Sequence, residues 1–507
     1  MTTRREAVKT TMSAIAEAAR VLAPTVLGLM CARVSLIVAT YGSYSSTDAG
    51  VFTDGSSLAA MIPLLMLLVY LGTTRKRLSK KTVYELTNAS IGVQAASIAA
   101  LGVALLTPHP ADIVVLALSV IVTLSSWLSI FYWLRRARGT SSSSAAAIAF
   151  GSLLISEPLI YLVSFLPRSA ACIAMGLLAA LQIPLRRNAR TKPLPEQAHN
   201  DKMPLGYFGF AQRTQDGVRV LSILAFGMFV LSFAVGALRG FPNGEAVPFT
   251  PATRIAYMVL AIVFFWLLIW QSFRESRSIM TTTIWIALEA FGIFAITAYA
   301  AFPDHPEIGG VFTTVFNVGM TGFMWYLVIA FSSYGKRDPH YYAVAGWAVF
   351  ILPRALARAG IVALAPYAPD DALQTAIVAG LILASAQVVF VQLAWAENPR
   401  RNESAATPKS IRTLLGLDDV DDVPEDPESI RRALMQNNAR QIQSQFMLSD
   451  RETEVLAMYA MGLTQRKIAE ELCISPGTTH THIKRIYAKT DLHSRQEILD
   501  YIERYTS

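Results

Sequence analysis

The sequence predicts an all-α chain: a polytopic membrane helix bundle of about twelve spans, arranged six plus six, followed by a small four-helix domain outside the membrane. Three observations predict it. Of 507 residues, 53% are hydrophobic and 16% charged, with a mean hydropathy of +0.41, whereas soluble domains carry about 25% charged residues. From Val21 to Ala396, apolar stretches alternate with short polar breaks, each stretch being about the 20 residues a helix needs to cross the hydrocarbon core. Beyond Ala396 the composition turns polar, and apolar residues return only at helical spacing.

The stretches fall at 21–41, 56–73, 86–106, 111–134, 145–166, 168–185, 218–238, 252–273, 280–301, 310–334, 342–365 and 371–396. Only Pro167 and Arg168 separate the fifth from the sixth, so one long or re-entrant segment is the alternative there. Residues 1–20 have a basic start but no compact apolar core before a small-residue cleavage site, and are expected to be retained. Short loops rich in Lys and Arg stay cytoplasmic. Here Arg75, Lys76, Arg77, Lys80 and Lys81 occupy the second break, Arg135, Arg136 and Arg138 the fourth, Arg274 and Arg277 the eighth, and Lys336 and Arg337 the tenth. The odd breaks hold Asp48, Asp54, Asp304 and Glu307, with Arg168, Arg239 and Arg254 as exceptions. An even span count then places both termini in the cytoplasm of a multi-pass protein of the inner (cytoplasmic) membrane.

The longest internal break, Arg186 to Asp216, is basic and proline-bearing and divides the spans into two sixes. In hydropathy and topology this resembles the major facilitator superfamily. That superfamily's glycine- and aspartate-bearing loop after the second span stands here as YLGTTRKRLSKK, which keeps the basic residues and lacks the acidic one. The resemblance implies a secondary transporter, either one whose tail regulates it or one with both roles.

Arg33, Glu157, Glu289, Arg354 and Arg358 fall near the middle of their spans, where an isolated charge costs ~3 kcal/mol on insertion scales. Each must face protein or water. Glu157 precedes Pro158 in the fifth span and Arg354 follows Pro353 in the eleventh, equivalent positions if the halves are repeats. Two broken, oppositely charged helices would then face each other. One reading is a ligand pocket for a polar or anionic small molecule, lined by Arg33, Glu157, Arg354 and Arg358 with Gln94 and Gln387 near its edges. The other is a set of buried ion pairs that fix helix register, the role expected of Glu289. Trp127, Trp133, Trp266, Trp270, Trp325 and Trp347 are expected as interfacial anchors or packing residues.

Residues 397–443 read as a linker, with an acidic run from Asp418 to Asp426. Some 48 residues of flexible coil reach roughly 40 Å. Ser429 to Phe446 has helix-like spacing and leads into the last domain, residues 444–507. There Ser449 and Glu452 form a capping box, Gly462 ends the first helix, Gln465 to Leu472 makes a second, Ser475 caps a third with Pro476 in its first turn, and Ser494 caps a fourth. Ile468, Ala469, Leu472, Thr479, Ile483, Ile486 and Tyr487 are the expected inward positions.

These residues resemble the LuxR-type helix-turn-helix domain. The match spans Leu448 to about Glu503 and includes the leading Leu-Ser-x-Arg-Glu, then Gly462, Ile468, Ala469, Leu472, Ser475, Thr478, Thr481, Ile483, Ile486, Leu492 and Arg495. It departs at Thr479, where valine is usual, and at His480, where a histidine brings less positive charge than the common lysine or arginine. In the LuxR family the third helix enters the major groove, as the recognition helix of helix-turn-helix proteins generally does. The resemblance therefore implies double-stranded DNA as partner, with His480, Thr481 and Lys484 reading bases, and Thr464, Lys467, Thr478, Arg485 and Lys489 holding phosphates. It also implies a homodimer through the fourth helix on an inverted repeat. His480, His482 and His493 raise the idea of a metal site, but the first two lie on different helix faces, so none is expected.

No phosphate-binding glycine loop, metalloprotease motif or catalytic triad is present, so neither an enzyme nor a cofactor is expected. Nor does a receiver domain lie between the spans and the helix-turn-helix. The expectation is a bacterial membrane-tethered DNA-binding transcription regulator that senses a small-molecule ligand. Its alternative is a transporter with a regulatory DNA-binding tail.

Overall fold

The computed structural model describes residues 2–41, 49–191, 218–274, 283–364, parts of 377–385 and 435–498, apart from brief gaps within these ranges. The chain divides into two compact units, Met1–Glu397 and Asn398–Ser507. The first is built from α1 (Thr2–Tyr41), α2 (Ala49–Thr74), α3 (Lys80–Ala104), α4 (Asp112–Arg136), α5 (Ser142–Val163), α6 (Arg168–Ala180), α7 (Gln182–Thr191), α8 (Val218–Leu238), α9 (Pro251–Arg274), α10 (Ile284–Ala301), α11 (Pro306–Tyr334) and α12 (Pro339–Leu364). In the second lie α13 (Asp450–Ala460), α14 (Gln465–Glu471) and α15 (Pro476–Thr490). Among the described residues, ten helices are long and apolar enough to cross a membrane, and α8 adds a shorter apolar stretch, Ala225–Leu238. The expected twelfth span, 371–396, lies largely outside the described residues.

The fifth and sixth stretches are two helices, joined by a turn at 164–167. The sixth runs on as α7 after a turn at Leu181, so the long polar break begins after Thr191 rather than at Arg186. Neither Pro158 nor Pro353 breaks its helix: α5 and α12 are each continuous. Each proline removes one backbone bond, a loss that membrane helices packed among neighbours tolerate. Buried hydroxyls are satisfied the same local way: Ser35, Thr40, Thr87 and Ser156 each donate to the carbonyl four residues earlier, so polar positions fit inside apolar spans.

Packing in the two halves follows one plan. The first span packs on the fifth (α1 with α5) as the seventh does on the eleventh (α8 with α12). The third packs on the fourth (α3 with α4) as the ninth on the tenth (α10 with α11), and the second on the fourth (α2 with α4) as the eighth on the tenth (α9 with α11). Across the halves, α5 packs on α9 as α12 packs on α2. Glu157 and Arg354 consequently sit on separate seams, and the expected face-to-face pairing of their helices gives way to these two reciprocal contacts. Close approaches rest on glycine: a Cβ at Gly28 would clash with the Trp133 ring, and one at Gly236 with the Arg354 carbonyl oxygen. Small residues let membrane helices meet backbone to backbone in this way.

At the ends rich in Lys and Arg the halves are stitched by Asp338, just before α12. Its Oδ2 accepts from the Leu78 backbone N–H at 2.9 Å and lies 3.8 Å from Arg135 Nη1. Its Oδ1 accepts from the His340 backbone N–H at 2.8 Å and faces His340 Nδ1 at 2.8 Å. Arg337 donates to the Gly72 carbonyl at 2.8 Å, and the Gly139 N–H to Ser333 Oγ at 3.0 Å. The basic loop after the second span thus receives its acidic partner from the other half. Burial alone would raise the Asp338 pKa, but the hydrogen bonds and charge of His340 and the Leu78 N–H outweigh it and hold the carboxyl down at about 2.

Candidate nucleic-acid interface and membrane cavity

The first unit holds a cavity of about 220 Å³. Four arginines line it: Arg33 from α1, Arg239 just past α8, and Arg354 and Arg358 one turn apart on α12. Arg354 Nη1 donates to Asn317 Oδ1 on α11 at 3.1 Å, and its guanidinium lies 5.2 Å from the centre of the Phe350 ring. Glu157 is not part of the lining. It sits behind Arg33, accepting from Arg33 Nη2 at 2.6 Å and from the Tyr257 hydroxyl on α9. A buried carboxylate needs paired, hydrogen-bonded partners, and Arg33 and Tyr257 are two of them. Gln94 is also buried away from the cavity, donating to the Ala32 carbonyl and Ser35 Oγ and accepting from Gln182; Gln387 lies outside the described residues. Glu289 accepts from Trp285 Nε1 and from Ser385 Oγ at 3.5 Å.

Two cavity features escaped the sequence. Arg239 looked like an exception to the loop-charge rule; that misplaced charge was the available signal. Trp127, Trp325 and Trp347, expected as anchors or packing, line the cavity, while Trp133 donates to Gln182 Oε1 at 3.1 Å, and Trp266 and Trp270 stack on the exposed surface of α9.

The second unit has its own core, formed by Ala439, Ile442, Leu448, Val455, Leu456, Ile468, Ile483, Ile486 and Ile498 among others. Ala439 and Ile442 fall before residue 444, in the helical lead-in. The capping box closes as the sequence implies: the Ser449 N–H donates to Glu452 Oε2 at 2.8 Å and the Glu452 N–H to Ser449 Oγ at 3.3 Å. Gly462 takes φ +95°, a left-handed conformation that glycine adopts without strain, and α13 stops before it. Thr464 caps α14 through the Lys467 N–H at 3.3 Å, and Ser475 caps α15 through the Thr478 N–H at 3.1 Å. Both α13 and α14 pack on α15, burying Thr479, Ile483 and Ile486. Leu472 and Tyr487 are partly buried. His480, Thr481 and Lys484 remain exposed on α15, as do Thr478 and Arg485, while Thr464 and Lys467 are exposed beside them at the start of α14. The α15 sequence, PGTTHTHIKRIYAKT, contains no acidic residue.

Two short helices crossing beneath a capped, acid-free third helix make a recognisable arrangement, and residues 447–502 match the bacterial regulatory proteins of the luxR family. The C-terminal domain is a LuxR-type helix-turn-helix. Over 59 residues the chain is 39% identical to the Fimbriae Z protein of Escherichia coli (strain K12), covering 12% of this chain and 28% of that protein. It is 43% identical over 54 residues to the Fimbriae Z protein of Salmonella typhimurium, covering 11% and 26%. It is 40% identical over 58 residues to the transcriptional regulatory protein LnrK of Bacillus subtilis (strain 168), again covering 11% and 26%. The chain thus spans little more than a quarter of each relative's length.

Within the LuxR-type domain one expected phosphate holder is differently employed. Lys489 Nζ lies 2.7 Å from Glu452 Oε2, so it ties the end of α15 to the capping box of α13. Arg495 donates through Nη2 to the carbonyls of Tyr459 and Leu463 at 3.1 and 3.2 Å, with its guanidinium over the Tyr459 ring. Ser494 accepts from the Glu497 N–H at 3.2 Å, starting the last helix. Residues 499–507 lie outside the described residues.

Proposed function

We propose that the chain is a membrane-tethered transcription regulator whose LuxR-type domain binds double-stranded DNA and whose membrane unit senses a small-molecule signal. One observation carries the reading: a single chain joins an acid-free, exposed recognition helix to a membrane unit with an arginine-lined cavity. His480, Thr481 and Lys484 read base edges in the major groove, and Thr464, Lys467, Thr478 and Arg485 hold phosphates. The domain acts as a homodimer through its last helix on an inverted repeat. In this reading the LuxR-type domain lies on the cytoplasmic side of the inner membrane with both termini there, which the Lys- and Arg-rich short loops support. The signal works only if it binds one conformation of the membrane unit more tightly than another, since equal affinity shifts no equilibrium.

The test is DNA binding by the full-length protein in nanodiscs. Binding should fall steeply with salt, and Lys484→Ala should weaken it by ~1–3 kcal/mol. Salt-insensitive binding, or binding unchanged by Lys484→Ala, would refute the assignment. The repeated packing of the two halves around a cavity favours a second reading, a secondary transporter whose DNA-binding tail regulates it. Uptake of a defined solute into proteoliposomes, unaffected by Lys484→Ala, would favour that reading.

A further inference from the structure

We infer that the ligand of the membrane cavity is a compact organic dianion with an apolar middle, the class of short α,ω-dicarboxylates. The inference rests on the sensing role proposed above and names the chemistry of that site. The guanidiniums come from both halves, Arg33 from the first and Arg239, Arg354 and Arg358 from the second. Guanidinium is a rigid fork of donors without an acceptor, matched to carboxylate oxygens in pairs. Arg354 and Arg358 are four residues apart on α12, where like charges destabilise a helix and a bound anion offsets that repulsion. Arg33 is paired with Glu157 behind it at 2.6 Å, which fixes its guanidinium at the wall of the cavity, and a planar fork with five N–H donors is not exhausted by one carboxylate. Two anchoring places, one in each half, call for a ligand with an anionic group at each end.

The rest of the lining agrees. Thr313, Thr314 and Thr321 donate their hydroxyl protons to carbonyls of their own helix at 3.0, 2.7 and 3.0 Å, which removes them as donors to a ligand. The buried indole N–H groups of Trp325 and Trp347, both on lining residues, have no hydrogen-bond partner among the described residues and can only donate. Acceptor-rich ends suit such walls. The lining also carries Trp127, Ile130, Val318 and Phe350, which suit a hydrocarbon spacer. About 220 Å³ is below the ~300–1,000 Å³ of pockets for drug-sized ligands, so the spacer is short.

The experiment uses the full-length protein in nanodiscs and measures thermal shift and calorimetric binding. The probes are the linear dicarboxylates from oxalate to suberate, the monocarboxylates of matching length, and the matching diamines. At least one dicarboxylate should bind ten-fold or more tighter than its monocarboxylate, with no binding of diamines. Arg354→Gln and Arg358→Gln should erase that preference, Arg354→Lys should retain part of it, and Arg168→Gln, exposed at the start of α6, should leave it intact. Equal binding of mono- and dicarboxylates, binding of none of the dicarboxylates, or a preference that survives both glutamine variants would overturn the inference. Should Arg354→Gln not fold, Arg358→Gln and Arg354→Lys decide. DNA affinity measured on the same particles separates the two claims. A neutral or monoanionic compound that alters it in an Arg354-dependent way would leave sensing standing and remove the dianion; if no compound alters it and Arg354→Gln leaves promoter induction intact, sensing itself falls.

Discussion

Lys484 and Lys489 stand five positions apart on α15, and the sequence suggested DNA for both. The fold separates them: Lys484 is exposed, whereas Lys489 reaches back 2.7 Å to Glu452. Only a three-dimensional contact between α13 and α15 could reveal this, because 37 residues separate the pair. Lys489→Ala should therefore destabilise the LuxR-type domain by about 1 kcal/mol, a value reduced because the ammonium is partly exposed, seen as a lower Tm. Burial pushes the Glu452 carboxyl up, but hydrogen bonds from Lys489 and Ser449 outweigh it and hold its pKa below the ordinary value. A depressed pKa gives stability that is present above the ordinary carboxylate range and lost as pH falls through the lowered value. The Tm gap between wild type and Lys489→Ala should close on acidification; a gap independent of pH would reduce Lys489 to a packing role. Arg485→Ala, in contrast, should leave Tm unchanged and lower the slope of log affinity against log salt by about 1 per subunit. In the membrane unit, Arg33, Arg354 and Arg358 were legible because a charge amid a span is costly. The position of Glu157 behind Arg33 was not, since hydropathy says nothing of which buried charges meet.

The helices themselves were the most legible level. Apolar length located the spans, and caps at Ser449, Ser475 and Ser494 located the helices of the last domain, because both signals are local. Proline misled: Pro158 and Pro353 suggested broken helices, yet packing holds α5 and α12 continuous. The seam between α8 and α12 sets the place of Arg354, and Gly236 allows it. Gly236→Leu would drive a side chain into the Arg354 backbone and Ala357 Cβ, so overpacking of ~1–3 kcal/mol should lower the Tm of the membrane unit. An unchanged Tm would show the seam to be compliant. Asp338 joins α12 to the loop before α3 and was invisible because that loop carries no acid of its own. With a folded pKa of about 2 against an ordinary 3.8, its contribution, on the order of 2 kcal/mol, is present above pH 3.8 and lost as pH falls toward 2. Asp338→Asn should lower Tm at neutral pH, with the difference from wild type narrowing over that acidic window.

Across the whole molecule, two units with separate cores share one chain. The division was legible as a change of composition after Ala396. The second core begins upstream of residue 444, because Ala439 and Ile442 of the helical lead-in are buried in it by partners that periodicity does not identify. We propose that this membrane chain occupies specific DNA through the LuxR-type domain. The most direct test is crosslinking and chromatin capture of the full-length protein from washed membranes, comparing wild type with Lys484→Ala. A small set of strongly enriched sites sharing an inverted repeat is expected, depleted in the variant at equal protein level. Enrichment of no defined site, or the same sites recovered equally with Lys484→Ala, would contradict it.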